Sequence, residues 1–125
     1  MNKKIINTDL APAAVGTYSQ GVEYGNVIYF SGQIGLDPKT MTMEDSFRPQ
    51  LDQIMKNIDG LLQSQDLKRE NILKTSIFVT DLANFGEVNE VYKEYFSEPF
   101  PARSCVQVPA LPKGALVEIE VIAAR

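Results

Sequence analysis

With 125 residues, 44% hydrophobic and 22% charged, the chain can bury one core and leaves little room for a second. It carries a net charge of −4 and no histidine, which excludes Ser-His and Cys-His triads and histidine metal sites; acids and bases are left to carboxylates, lysine, tyrosine, the cysteine or water. The scattered Lys and Arg disfavour a nucleic-acid partner, no run of about 18 apolar residues spans a membrane, and a lone Cys105 with no leader-like start fits a reducing, cytoplasmic setting.

In chain order, Lys4 to Thr8 reads as a short strand, followed by DLAPAAVGTYSQG, an ordered loop rich in Ala, Gly and Pro. Gly21 to Tyr24 and Asn26 to Gly35 flank a Gly25-Asn26 turn and predict a hairpin. In its second arm Val27 and Tyr29 alternate with Ile28 and Phe30, so both faces are apolar and a strand covered on both sides is expected. After Asp37-Pro38 the period becomes helical. Phe47, Leu51, Ile54, Met55, Ile58, Leu61 and Leu62 share one face, and Pro49 falls in the first turn, where its missing N–H is harmless. Lys74 to Thr80 is the next strand. Asn84 is expected to cap a second helix with Phe85, Val88, Tyr92, Tyr95 and Phe96 inward, ended by Pro99 and Pro101. Arg103 to Val108 and Val117 to Ala124 close the chain as strands.

The order β-β-β-α-β-α-β-β predicts an α+β fold, a single domain over residues 1–125 with one mixed sheet and both helices on one face. The other face also carries apolar residues and no third helix exists to cover it. Self-association into a closed ring is the expected solution.

Ionised residues stand inside the two terminal strands. Alternation places Arg103, Cys105 and Gln107 on one face and Ser104, Val106 and Val108 on the other. In the last strand Val117, Ile119, Val121 and Ala123 form an apolar face opposite Glu118 and Glu120. The apolar faces are expected against the helices, which turns Arg103 and Glu118 toward the open face to meet in a cleft between chains. Taken alone, such charges are most often a solvated face or a structural pair. Cys105 alone reads as a small buried hydrophobe, Tyr18, Ser19 and Gln20 as loop packing, and Ser31-Gly32 as a strand end.

Their combination says more. GTYSQG (residues 16–21), FSGQIG (30–35), VNEVYKEYF (88–96), PARSCV (101–106) and LPKGALVEIEVIA (111–123) occur in this order. From about Ile5 to Arg125 the chain closely resembles the RidA (YjgF/YER057c/UK114) family of reactive-intermediate deaminases. The resemblance implies a chorismate-mutase-like fold, a homotrimer with clefts between subunits, and no cofactor or metal. It also implies hydrolysis of 2-imino acids and their enamines, such as 2-aminoacrylate and 2-iminobutyrate released by pyridoxal-phosphate-dependent dehydratases, to 2-keto acid and ammonia. By motif, Arg103 matches the substrate-carboxylate arginine and Glu118 the glutamate that positions or activates water. Tyr18 matches a loop tyrosine closing over substrate, Ser31 and Gly32 a pocket wall, Cys105 a pocket-lining position offering backbone hydrogen bonds, and Asn89 a substrate-binding position on the helix.

Three positions depart from the family pattern. Thr17 stands where proline is usual, which implies a less rigid tyrosine loop. Gln107 replaces a common glutamate and Ala110 a common arginine, which removes a charge pair together. The alternatives to a deaminase are a non-catalytic sensor of small keto or amino acids and, against the acidic balance, an RNA-acting translation inhibitor.

Overall fold

A computed structural model describes residues 2–125. The elements are β1 (Lys4–Ile6), β2 (Gly21–Tyr24), β3 (Val27–Phe30), α1 (Phe47–Ser64), β4 (Ile72–Val79), α2 (Phe85–Tyr95), β5 (Ala102–Gln107) and β6 (Val117–Ala124), with short 3-10 turns at Arg69–Asn71, Leu82–Asn84 and Pro112–Gly114. Element order matches the sequence expectation. Two strands are shorter than expected. The first ends at Ile6, and the second arm of the hairpin leaves the ladder after Phe30, touching β6 again only through Gln33 opposite Ile119.

The strands form one sheet in the order β1-β2-β3-β6-β4-β5. Only β4 and β5 run parallel, because α2 carries the chain back across the sheet between them; the other neighbours are antiparallel. Gly25, at φ 65°, makes the two-residue β2–β3 turn that a side-chain-bearing residue would strain. The last strand sits near the middle of the sheet. Its residues Val117, Ile119, Val121 and Ala123 are at most 2% exposed and form the floor on which the helices lie.

Helix α1 presents the stripe read from the sequence: Leu51, Ile54, Ile58, Leu61 and Leu62 are at most 1% exposed. Each contributes roughly 1.5–3 kcal/mol of burial. Val88, Tyr92, Tyr95 and Phe96 from the second helical segment enter the same core, together with Val91; Phe85 stays half-buried at its edge. Asn84 does precede α2, but its side chain makes no capping bond. Asp81 does the local work instead, accepting from the Ala83 N–H at 2.9 Å to start the turn that leads into the helix.

Both helices cover one face of the sheet, as expected. The other is bare, with Ile5, Tyr24, Tyr29 and Val106 each about half exposed. Cross-strand pairing lines up Ile5, Val22, Tyr29 and Ile122 in one row over that face. Tyr29 is therefore uncovered within the single chain, where two-sided cover had been expected.

Candidate functional site

One pocket grows out of the loop between β1 and β2. Gln20, 2% exposed, is the pin of that loop. Its amide oxygen accepts from the Thr8 N–H at 2.6 Å, while its NH2 group donates to the carbonyls of Thr8 at 2.8 Å, Pro12 at 2.8 Å and Ala11 at 3.3 Å. A buried amide with both ends satisfied holds irregular backbone as firmly as a short ladder. Ser31 ties the loop to the sheet, its hydroxyl donating to the Ser19 carbonyl at 2.6 Å and its N–H to the Gln20 carbonyl at 2.9 Å. Paired hydrogen bonds between Gln33 and Ile119, at 2.8 and 3.0 Å, then bring Gly32 beside Glu118.

The resulting pocket has a volume of about 690 Å3 and includes Tyr18, Ser31, Gly32 and Glu118 in its wall. The rest of the lining is mostly apolar, from residues such as Pro12, Val15 and Ile34. Gly32 is there for space. A Cβ at this position would stand 2.1 Å from Glu118 Oε2, so the carboxylate lies where any side chain would be. Burial pushes the Glu118 carboxyl above the ordinary carboxylate value, and the neighbouring Glu120 adds to the rise. A carboxylate held in this way, and not neutralised by a cation, is suited to taking a proton from water.

Of the lining residues that the sequence reading did not single out, two stand apart by their backbone. Met41 and Lys113 both line this pocket and both adopt left-handed backbone, at φ 58° and 56°. Such non-glycine residues concentrate at functional sites. The available signals were the Asp37-Pro38 turn, which marked only the break before the helix, and the Pro112-Lys113-Gly114 run, which figured only as part of the motif over residues 111–123.

A second cleft, about 430 Å3, lies between α2 and β5 and is lined by Asn89, Tyr92, Lys93, Phe100, Pro101 and Arg103. Arg103 Nη1 donates to Asn89 Oδ1 at 2.7 Å. The guanidinium carbon stands 5.1 Å from the ring centroids of both Phe85 and Tyr92, within cation–π range. Tyr92 is fixed in turn by donating its hydroxyl to Thr75 Oγ1, and burial pushes that phenol up to about 12.

Here the structure corrects the sequence reading. Arg103 does not share a face with Glu118. The parallel register pairs Thr75 with Arg103 and Ile77 with Cys105, and Thr75 and Ile77 are buried under the helices. Arg103, Cys105 and Gln107 therefore lie on the helix-bearing side, at the edge strand, while Glu118 pairs with Phe78 on the open side. Alternation was right and the face was wrong. An edge strand exposed along most of its length offers no hydrophobic contrast from which to assign its sides.

The site residues thus fall into two groups: Tyr18, Ser31, Gly32 and Glu118 in one pocket, Asn89 and Arg103 in the other. Cys105 lines neither. It packs against the core, and burial pushes its thiol up despite the lowering influence of Arg103, which disfavours a thiolate nucleophile. Gln107, one of the departures noted above, accepts from the Leu82 N–H at 2.9 Å and so steadies the turn before α2 without needing a charge.

Comparison with known proteins agrees with this architecture. The family model described as endoribonuclease L-PSP matches residues 8–125. A protein of Salmonella typhimurium named 2-iminobutanoate/2-iminopropanoate deaminase is 45% identical, the match covering 98% of each chain. The mouse protein of the same name is 43% identical, over 98% of this chain and 92% of its own. The crystal structure of RidA from the Antarctic bacterium Psychrobacter superposes with a TM-score of 0.94 at 47% identity, covering 98% of this chain and 99% of that one.

Proposed function

The chain belongs to the RidA family, and from that membership and the two half-sites we propose that it is a hydrolytic deaminase of 2-imino acids and their enamine tautomers, working in clefts between copies of itself. The observation that carries this reading is the pair of complementary groups on opposite faces of one sheet. Glu118 sits against Gly32 in a mostly apolar pocket, and Arg103 is held open in a cleft with no carboxylate partner. One chain cannot bring them together. A second copy laid against the bare sheet face, presenting its α2–β5 edge, supplies the missing half and covers the apolar row from Ile5 to Ile122. A closed homotrimer does this three times over with one kind of contact.

In such a cleft Arg103 grips the substrate carboxylate through two charge-assisted hydrogen bonds. Tyr18 and the pinned loop close over it, and the apolar wall beyond Ser31 receives the side chain. A water held by Glu118 attacks C2 of the protonated imine. The O–C2 bond forms, the C=N π pair returns to nitrogen, and Glu118 takes the water proton. The carbinolamine then collapses. Glu118 returns its proton to nitrogen, the C–N bond breaks, and the carbonyl forms as the hydroxyl proton leaves to Glu118. The products are 2-keto acid and ammonia, with one proton released to solvent. Since an imine carbon is already electrophilic, orientation of substrate and water is the main contribution required.

The test is a coupled assay in which a pyridoxal-phosphate threonine or serine dehydratase generates the imine and keto-acid formation is followed with and without the protein. Arg103→Ala and Glu118→Ala are each expected to abolish the acceleration. Co-assembly of the two inactive variants in equal amounts is expected to restore about a quarter of wild-type activity, since sites combining the two intact residues re-form at random. A wild-type protein that assembles but gives no acceleration overturns the deaminase. Loss of activity in both single variants with no restoration when they co-assemble overturns the shared site.

The family description as an endoribonuclease raises a second chemistry. Neither pocket offers the cluster of basic side chains that a phosphate backbone selects, so the imine reading is preferred.

A further inference from the structure

We propose that Phe85, Asn89 and Tyr92 are positioning residues, forming a cradle that fixes the guanidinium of Arg103 in one orientation without neutralising it, so that helix α2 sets the affinity of the site for a carboxylate. The inference rests on Arg103 being the carboxylate anchor and goes on to assign what makes it one.

The three residues are spaced i, i+4 and i+7, which places them along one stripe of α2. That stripe faces β5. Two rings flank the guanidinium at 5.1 Å each, and the Asn89 amide oxygen takes Nη1 at 2.7 Å. The parallel Nε and Nη2 donors are thereby left as the fork for an incoming carboxylate. The Tyr92 ring cannot swing away, since it is buried and its hydroxyl is tied to Thr75. An arginine ordered before the ligand arrives loses less rotamer freedom on binding than a free one.

Comparison among the four arginines sharpens the point. Among the described residues Arg48 pairs with Asp52, Arg69 with Asp59 and Arg125 with Glu23. Arg103 alone has no carboxylate partner: a neutral amide and two aromatic faces orient it, whereas Arg69, which also lies over the Tyr95 ring, is held by Asp59. An aspartate at position 89 would orient it equally well, yet would cancel its charge and repel the ligand. The amide separates orientation from neutralisation. Asn89 therefore acts through Arg103, which revises its expected role as a direct substrate contact.

The experiment measures binding and turnover together. Binding of 2-oxobutanoate, a small 2-keto acid, is followed by calorimetry for wild type, Asn89→Asp, Phe85→Leu and Phe85→Tyr. The same variants enter the dehydratase-coupled assay. Asn89→Asp is expected to weaken binding at least about tenfold and Phe85→Leu about three- to tenfold, with KM raised to match and kcat little changed, while Phe85→Tyr stays within about twofold. The Arg103 guanidinium NMR signals are expected to be separate in wild type and averaged in Phe85→Leu. Should Asn89→Asp fold poorly, the half-buried Phe85 pair carries the test alone. Folded variants that bind 2-oxobutanoate as wild type does overturn the cradle, and with normal turnover they leave the deaminase intact. The expected binding pattern without any turnover overturns the deaminase and supports the cradle. A wild type that binds no keto acid overturns it as well, since Arg103 then anchors nothing.

Discussion

Replacing Gly32 with alanine adds a single methyl group and tests the whole catalytic geometry. The new Cβ would stand 2.1 Å from Glu118 Oε2, 2.9 Å from its Cδ and 3.2 Å from its Cγ. Contacts under 3.0 Å are essentially never seen, so the carboxylate must retreat by about 1 Å. It is able to do so, because the clash is with the far end of a flexible side chain and the Gly32 backbone is not left-handed. Stability should fall by less than about 1 kcal/mol, the range for changes without a buried clash. Catalysis is less forgiving. A misplacement of about 1 Å costs on the order of 100-fold, or about 2.7 kcal/mol at 1.36 kcal/mol per decade. The coupled assay should therefore show kcat down about 100-fold, 2-oxobutanoate binding nearly intact, and a melting temperature within a few degrees of wild type. Full activity in Gly32→Ala would refute the argument that the position of this carboxylate matters. A collapse of stability would show instead that Gly32 serves the fold.

Gly60→Ala should go the other way. Helix propensity favours alanine by about 1 kcal/mol, but the added Cβ would stand 2.0 Å from the Leu10 carbonyl oxygen, a backbone atom that cannot step aside. A net loss of about 1–3 kcal/mol in urea denaturation is expected, and a gain would contradict the packing of α1 on the loop. Thr75→Val removes the acceptor of the buried Tyr92 hydroxyl and should cost about 1–3 kcal/mol, measured in the same way. Glu118→Gln separates function from stability. Because the Glu118 pKa is raised in the folded protein, the native state holds this proton more tightly than the unfolded chain. Its contribution to stability is lost as pH rises from the ordinary carboxylate value through the raised one. The inactive glutamine variant should melt above wild type at neutral pH, and the difference should vanish in acid. Wild-type activity should rise over that same interval as Glu118 ionises, and Glu120→Gln should move this acid limb to lower pH. An unmoved limb would show that Glu120 does not act on Glu118.

The sequence by itself determined the elements and most of the core. The seven-membered stripe from Phe47 to Leu62, the Gly25-Asn26 turn and the strict alternation of Val117 to Ala123 each answer to a local period that no neighbour has to supply. Membership of the family was legible too, through the motifs that hold Arg103, Glu118, Tyr18 and Gly32. Tertiary structure alone decided where those residues stand. The face of Arg103 depended on the parallel register of β5 against β4, a pairing separated in sequence by the whole of α2. On an exposed edge strand no pattern of buried and solvated residues records that choice. The close approach of Glu118 to Gly32 likewise came from the Gln33–Ile119 bridge, joining segments that lie far apart along the chain. Periodicity reports which residues share a side of their own element. Which side another element covers is a property of the packed whole, and here that property places Arg103 and Glu118 in two separate pockets.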